Sequence, residues 1–186
     1  MLESCNLCAH NCNVNRNEKV GYCKCGILPK CALASVHMWE EPCISYKNGS
    51  GTAFFSGCNL NCIFCQNHEI SNDNYGKEIS IDRLAEIFIE LQNKNVNNIN
   101  LVSPTPYVPQ IIEAIKIAKI NGLSIPIVYN TGNFENVETI KMLGGYIDVY
   151  LPDLKYFSDD VAIKYSSAPN YFEVATNNIK EMIKQV

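Results

Sequence analysis

The chain has 186 residues, of which 47% are apolar, a length and composition that suit one globular domain with a substantial core. The formal net charge is −4 and the Lys and Arg residues are scattered, which argues against the basic face that nucleic acid binding needs. The amino terminus has no basic stretch before an apolar run, and no window approaches the ~18 apolar residues of a membrane span. We therefore expect a cytoplasmic protein that binds neither membrane nor nucleic acid.

The chain begins with a small Cys-rich segment. Four of its thiols follow the pattern C-x2-C-x3-C-x10-C, and they are Cys5, Cys8, Cys12 and Cys23. The segment is rich in Asn and too polar to fold by burial, and cytosolic thiols stay reduced, so the pattern predicts a structural metal site. Zinc is the first candidate and a second cluster the next. The alternative is a set of reduced, partly buried thiols, which is how we interpret Cys25, Cys31 and Cys43.

An arm connects this segment to the core. Residues 34–51 predict a hairpin or extended strand with a turn at Asn48-Gly49, a strong turn signal. His37 could be a ligand or a proton donor, but a lone His beside Trp39 is more typical of a packed or interface residue. We divide the chain into an N-terminal segment with its arm, residues 1–50, and a core, residues 51–186.

The central motif is a short buried strand, from Thr52, that leads into a loop with three thiols. Cys58, Cys62 and Cys65 have the spacing C-x3-C-x2-C, which lets three thiolates of one loop converge on a [4Fe-4S] cluster. Such clusters normally take four thiolates, so three would leave one iron open to a substrate or cofactor. An alternative adds His68 to give a Cys3His zinc site in a binding module.

Apolar runs alternate with amphipathic helices from Thr52 onward. The predicted strands are Thr52–Ser56, Asn98–Val102, Ile125–Tyr129 and Tyr146–Leu151. The predicted helices are Ile81–Asn93, Pro109–Asn121 and Glu135–Leu143, with a further helical run from about Thr176. Ser80 is the expected N-cap of the first helix, and Pro109 suits the first turn of the second. This alternation predicts an α/β fold with parallel strands and right-handed crossovers.

Polar or glycine-bearing residues follow every predicted strand. They are the cysteine loop, Ser103-Pro-Thr105-Pro-Tyr107, Asn130-Thr131-Gly132-Asn133 and Pro152-Asp153-Leu-Lys155-Tyr156. In (β/α) barrels, the ligand-binding residues lie at the carboxyl ends of the strands. The pattern therefore predicts a single site at one mouth of the sheet.

Two runs in the core carry a family resemblance. The loop Cys58-Asn-Leu-Asn-Cys62-Ile-Phe64-Cys65 resembles the cluster loop of the radical S-adenosylmethionine (radical SAM) superfamily. Together with Asp148-Val-Tyr-Leu-Pro-Asp-Leu-Lys-Tyr156, it resembles the uncharacterised branch related to pyruvate formate-lyase activating enzymes, from about Cys5 to the last residue. Members usually build six strand–helix units. The resemblance therefore implies a partial TIM-type (β/α) barrel of about four βα units, a C-terminally truncated member.

The resemblance also implies cofactors and site residues. It implies a [4Fe-4S] cluster and S-adenosylmethionine as cofactors. The positions that contact the methionine end in relatives correspond to Asn130, Thr131, Asp153 and Lys155, and Phe64 would lie beside the adenine. For Asp153 and Lys155 the alternative is a salt bridge that closes the strand end. Relatives carry a Gly-Gly-Glu run where this chain has Ser103-Pro-Thr105, so amino-group recognition is not carried over there.

The activity implied by the resemblance is that of an oxidoreductase. An electron donor such as flavodoxin or ferredoxin would reduce the cluster, and cleavage of S-adenosylmethionine would give methionine and a 5′-deoxyadenosyl radical. An activating enzyme would direct that radical at a glycine of a partner protein. The alternatives are a non-catalytic zinc or iron–sulfur module that carries electrons, and an inactive truncated homologue.

Overall fold

The protein contains one six-stranded sheet, described by a computed structural model that covers residues 2–186. Met1, the first residue of the predicted N-terminal segment, lies outside the described residues. The strands are β1 (Lys30–His37), β2 (Ser50–Phe55), β3 (Lys77–Glu78), β4 (Ile99–Val102), β5 (Ile127–Thr131) and β6 (Val149–Pro152). Their order across the sheet is β3-β1-β2-β4-β5-β6. The strands β2, β4, β5 and β6 are parallel, as predicted, whereas β1 and β3 add an antiparallel edge.

Seven α-helices accompany the strands in residues 2–186. They are α1 (Pro42–Ser45), α2 (His68–Ser71), α3 (Ile81–Gln92), α4 (Val108–Ile120), α5 (Val137–Met142), α6 (Asp159–Ser166) and α7 (Tyr171–Gln185). A short 3₁₀ turn at Thr105–Tyr107 precedes α4. Within this part of the chain, none of the helices combines the length and the apolar character needed to cross a membrane.

Local sequence explains α3 well. The Ser80 hydroxyl accepts a hydrogen bond from the Arg83 backbone N–H at 3.1 Å, which confirms the predicted N-cap and satisfies one free donor of the first turn. Leu84, Phe88 and Leu91 recur at helical spacing and are almost completely buried. Together with α4, the helix covers the main core on one face of the sheet.

Two of the parallel strands begin later than the apolar runs suggest. Strand β5 begins at Ile127 because Pro126 has no backbone N–H to give to the ladder. The Ile127 N–H donates a hydrogen bond to the Asp148 carboxylate at 2.8 Å, and Asp148 precedes the first residue of β6.

Helix α5 begins at Val137 rather than Glu135, because the Glu135 side chain points into the core.

A second, smaller core lies under the cysteine loop. Leu60 of the loop, Phe134 after β5 and Tyr171 of α7 are buried together. The rings of Phe134 and Tyr171 stack with their centroids 6.1 Å apart. The Ile63 N–H also donates to the Tyr165 carbonyl of α6 at 3.0 Å. Helix α6, which the sequence did not predict, and α7, which starts five residues before the predicted run, therefore hold the loop in place.

The arm before the core forms the strand β1. It pairs with β2 in antiparallel register, with His37 opposite Ser50. The sheet thus contains a strand on each side of the boundary predicted at residue 50, and the division into two units stays a prediction.

The N-cap of α3 can be tested by substitution. We expect Ser80→Ala to lower the free energy of unfolding by about 1 kcal/mol, because the Arg83 N–H loses its partner. Ser158→Ala is a matched control, since Ser158 precedes α6 without a capping hydrogen bond from its side chain. Denaturant unfolding followed by circular dichroism gives both values. Equal losses in the two variants would contradict the capping role.

Candidate active site

The cysteine loop starts from a glycine that no other residue can replace without strain. Gly57 follows the last residues of β2 and has a φ of +78°, in the left-handed region. A Cβ at this position would meet the Cys25 sulfur and would lie 2.7 Å from the Cys23 carbonyl oxygen. The backbone can therefore turn into the loop only where a side chain is absent.

The three loop thiols lie in the wall of one cavity. This cavity has a volume of about 450 Å³ and lies at the carboxyl ends of the parallel strands. Besides Cys58, Cys62 and Cys65, its polar wall includes Ser103, Asn130, Asp153 and Lys155. The strand-end residues that the sequence predicted to converge thus do so, from β4, β5 and β6.

Each of the three sulfur atoms accepts one hydrogen bond. The donors are the Leu60 N–H to Cys58 at 3.4 Å, the Ser166 hydroxyl to Cys62 at 2.8 Å, and the Ser71 hydroxyl to Cys65 at 3.2 Å. Hydrogen bonds of this kind stabilise thiolates and tune the reduction potential of sulfur-bound metal centres. The two serines belong to α2 and α6, and sequence spacing gave no signal for either.

Burial favours the protonated form of two of the loop thiols, Cys58 and Cys62. It raises the pKa of Cys58 to about 12, and the charges of Cys62 and Cys65 add to the rise. Burial also raises the pKa of Cys62, although the Ser166 hydrogen bond and the positive charge of Lys155 oppose the change. Metal binding at this loop must therefore release protons.

A charged pair faces the thiols across the cavity. The Lys155 ammonium lies 2.5 Å from the Asp153 carboxylate, and both side chains retain exposed surface, 25% and 50%. Burial lowers the pKa of Lys155, but the Asp153 carboxylate and the nearby Cys62 and Cys58 outweigh it and keep the pKa above its usual value. The pair is both a salt bridge at the strand end and part of the cavity wall.

The match to known proteins agrees with this geometry. Residues 52–185, more than half of the chain, match the family model of the radical SAM superfamily. The chain belongs to the radical SAM superfamily. Membership implies a [4Fe-4S] cluster and S-adenosylmethionine as cofactors. The three hydrogen-bonded sulfurs on one cavity wall fit the cluster, since thiolates are its usual protein ligands.

A curated relative extends the match beyond the core. An uncharacterised protein of Methanocaldococcus jannaschii is 31% identical over 187 aligned residues, which cover 96% of this chain and 53% of the relative. The radical SAM chain therefore spans about half the length of the curated relative that it matches.

Two predicted cofactor contacts lie outside the cavity wall. The Thr131 side chain is buried and donates to Glu135, and its oxygen also accepts the Asn133 N–H at 3.0 Å. The Phe64 ring is 57% exposed and packs edge-on against Tyr156 at 6.5 Å. Their roles toward S-adenosylmethionine stay predictions.

A buried carboxyl group lies behind this wall. Glu135 is fully buried, and its Oε1 accepts hydrogen bonds from the Thr105 hydroxyl at 2.5 Å, the Tyr129 hydroxyl at 3.1 Å and the Thr131 hydroxyl. Its Oε2 has no partner among the described residues. Burial and the Glu135 charge raise the pKa of Tyr129 well above its ordinary value. Because Thr105 turns toward Glu135, it supplies no side chain to the cavity.

The cavity wall also contains a pair that the sequence did not assign. His37 lies in the wall, with its Nδ1 3.2 Å from the Glu40 Oε1 and its ring edge-on to Phe54 at 5.7 Å. Trp39, two residues after His37 in sequence, is 89% exposed and does not pack on it. The only sequence signal was the spacing of His37 and Glu40, which is too common to identify a site.

Single-ion metal sites are absent from residues 2–186: no three His, Cys, Asp or Glu side chains are grouped closely enough to hold one metal ion. The His68 ring instead faces the Asp73 carboxylate, with its Nδ1 3.2 Å from Oδ2. The Cys3His zinc alternative therefore finds no support in the geometry. A cluster distributes its ligands around a larger body than one ion, so this observation does not count against a cluster at the three loop thiols.

Burial also perturbs the thiol of Cys8 in the N-terminal segment. Burial raises the pKa of Cys8 to about 12, and the negative charges of Cys23, Cys12 and Cys5 add to the rise, so all three lie within electrostatic range of it. The four thiols are partly buried, and none forms a disulfide. No group of three or more potential metal ligands forms among residues 2–186, so the metal site predicted at these four cysteines stays a prediction.

The role of Gly57 can be separated from simple backbone strain. Gly145 has nearly the same φ, +79°, but a Cβ there would meet open space. We expect Gly145→Ala to cost about 1–2 kcal/mol of unfolding free energy from the left-handed backbone alone. Gly57→Ala should cost clearly more, because Cys25 and the Cys23 carbonyl must also move. Denaturant unfolding of the metal-free variants measures the difference, and equal costs would contradict the proposed packing.

Proposed function

We propose that this chain is a radical enzyme. It would bind a [4Fe-4S] cluster through Cys58, Cys62 and Cys65, and S-adenosylmethionine beside that cluster. The observation that carries the proposal is the shared cavity, in which three hydrogen-bonded sulfurs and the strand-end residues of a radical SAM domain face one another. When bound, the two cofactors supply the reductive cleavage of S-adenosylmethionine and the radical that removes a hydrogen atom from a substrate. An external reductant such as flavodoxin or ferredoxin would supply the electron for this cleavage.

The chain's own residues bind and orient these cofactors. The three thiolates leave one coordination position without a protein ligand. Lys155 presents an ammonium that can pair with a carboxylate of the cofactor, and Asp153 a carboxylate that can pair with its ammonium. Asn130 adds an amide to the same wall, while Leu60 and Val102 give it apolar surface. Charge-assisted pairs in such a partly enclosed cavity are stronger than the same pairs in water.

We further propose an activating role on a protein substrate. Support comes from the sequence resemblance and from apolar side chains around the cavity mouth. Trp39, Phe64 and Leu154 are 89%, 57% and 52% exposed, and each lies beside a cavity-lining residue in sequence. Exposed aromatic and aliphatic residues that surround a site are typical of protein docking surfaces. A glycine of the partner would then be the group that loses hydrogen.

The cluster is tested by anaerobic reconstitution with iron and sulfide. We expect the wild type to show broad visible absorbance and to produce 5′-deoxyadenosine from S-adenosylmethionine when reduced. Cys58→Ala should lose the activity, because one of the three sulfur ligands is missing. Cys43→Ala is the control, since Cys43 is an exposed thiol away from this cavity. A wild-type protein that binds zinc and no iron at the central loop would refute the proposal.

Lys155 tests whether the charged pair serves the cofactor or only the strand end. If it binds the carboxylate of S-adenosylmethionine, Lys155→Ala should weaken binding by about ten- to a hundredfold, the usual range for about 1.5–3 kcal/mol. The reconstituted cluster should keep its spectrum. Lys119→Ala is the matched control, because it removes the same charge from an exposed position on α4.

A salt bridge that only closes the strand end predicts different results for Lys155→Ala. A purely structural salt bridge predicts a lower melting temperature for Lys155→Ala and unchanged affinity per folded molecule. Titration with the cofactor, alongside melting curves, distinguishes the two outcomes.

A further inference from the structure

Cys62 differs from the other two loop thiols in how its hydrogen-bond donor is held. The Ser166 hydroxyl lies 2.8 Å from the Cys62 sulfur, and the Tyr156 hydroxyl lies 2.5 Å from the Ser166 hydroxyl oxygen. Tyr156 and Ser166 therefore form a hydroxyl row that ends at one of the proposed cluster ligands. The row is enclosed by protein, since Tyr156, Ser166 and Cys62 are 9%, 0% and 9% exposed.

The donors to the other two thiols have no such support. The Ser71 hydroxyl lies 3.2 Å from the Cys65 sulfur and equally far from the Asn72 side-chain oxygen, so its single hydrogen is shared. The third thiol receives a backbone N–H at 3.4 Å. The bond to Cys62 is thus the shortest of the three. Among residues 2–186, it is also the only one whose donor is hydrogen-bonded to a second hydroxyl.

A metal-bound thiolate fixes the direction of both bonds in the hydroxyl row. A thiolate carries no hydrogen, so Ser166 must donate its single hydroxyl hydrogen to Cys62. The Ser166 oxygen is then an acceptor toward Tyr156, whose hydroxyl must donate. Both hydrogens therefore point toward the sulfur. Hydrogen bonds aligned in this way polarise and strengthen one another.

Packing against the loop fixes the position of both hydroxyls. Tyr156 follows β6, and its ring lies edge-on to Tyr171 of α7 with the centroids 5.4 Å apart. Ser166 is the last residue of α6, and its carbonyl oxygen accepts the Asn61 N–H of the cysteine loop at 3.3 Å. Because the surrounding elements hold both dipoles in place, they need little reorganisation when the charge at the sulfur changes.

We propose that Ser166 and Tyr156 are positioning residues that raise the reduction potential of a cluster bound at Cys62. The inference rests on the proposed function, because it requires that cluster. Reduction adds an electron to a centre whose thiolates are already negative, and an O–H dipole directed at a sulfur stabilises the added charge. The hydroxyl row therefore favours electron entry from the external reductant. Tyr156 acts through Ser166, whose oxygen lies between it and the sulfur.

The test measures the reduction potential of the anaerobically reconstituted protein by redox titration followed with electron paramagnetic resonance. Ser166→Ala removes the donor to Cys62 and should shift the reduction equilibrium about tenfold toward the oxidised form, which is about 59 mV for one electron. Tyr156→Phe keeps the ring and should shift the equilibrium about twofold in the same direction, because the second hydroxyl only strengthens the first bond.

A double variant distinguishes a connected row from two independent effects. Because Tyr156 acts through Ser166, S166A/Y156F should have the potential of S166A alone. Tyr150→Phe is the matched control: it also removes a hydroxyl hydrogen bond, 2.6 Å to Gln185, but lies outside the cavity wall and should leave the potential unchanged. A merely structural role would lower the melting temperature of Y156F without moving its potential.

The iron content of the wild type separates this inference from the proposed function. A wild type that assembles no [4Fe-4S] cluster would refute the proposed function, and the role of the hydroxyl row with it. A wild type that assembles the cluster, with Y156F at an unchanged or higher potential, would refute the hydroxyl row alone. A further shift when Y156F is added to S166A would also overturn it. If S166A does not fold or take up iron, the comparison of Y156F with Y150F decides, since both retain Ser166.

Discussion

The parallel register of the sheet is the constraint on which the site depends. Phe54, Val102, Asn130 and Leu151 are register partners in one row across the four hydrogen-bonded strands. Because this row is straight, the residues that follow each strand emerge at one edge. The loop after β2 brings the thiols, and the turns after β4, β5 and β6 bring hydroxyl, amide and charged groups. A shift of one residue in any pair would turn the adjacent side chains to the opposite face.

Around this edge the protein controls charge with neutral donors more than with ions. The three sulfurs receive one N–H and two O–H hydrogen bonds, and Lys155 is the cation nearest to them in the cavity wall. Lys155 is itself partly neutralised by Asp153. A negatively charged cluster bound here would therefore be solvated by fixed dipoles, which cost little reorganisation when its charge changes.

Much of this arrangement could be predicted from the sequence, for local reasons. The N-cap at Ser80, the apolar face of α3 and the polar residues after each strand all follow from spacing within a few residues. Asn130 and Asp153 reach the cavity because each follows the apolar run of its own strand. Thr131 does not, because neighbouring residues of a strand face opposite sides, and its side chain turns to Glu135 instead.

The remaining features depend on contacts between distant parts of the chain. Ser166 reaches Cys62 only because α6 packs on the loop. The residues buried there include the small Ala162, Ala168 and Ala175, which give the sequence little apolar periodicity. His37 reaches the cavity only through the antiparallel pairing of β1 with β2. Neither pairing has a sequence signal of its own, since each depends on where the rest of the chain folds.

The contact between Ser166 and Cys62 has a consequence for the order of assembly. The two residues are 104 positions apart, so this hydrogen bond cannot form until the chain as far as α6 has folded. The central loop is therefore incomplete while the polypeptide emerges from the ribosome, even though its three cysteines are synthesised early. Iron delivered at that stage would meet Cys62 without its Ser166 donor. Cofactor loading at this loop should thus depend on the docking of α6, which supplies that donor.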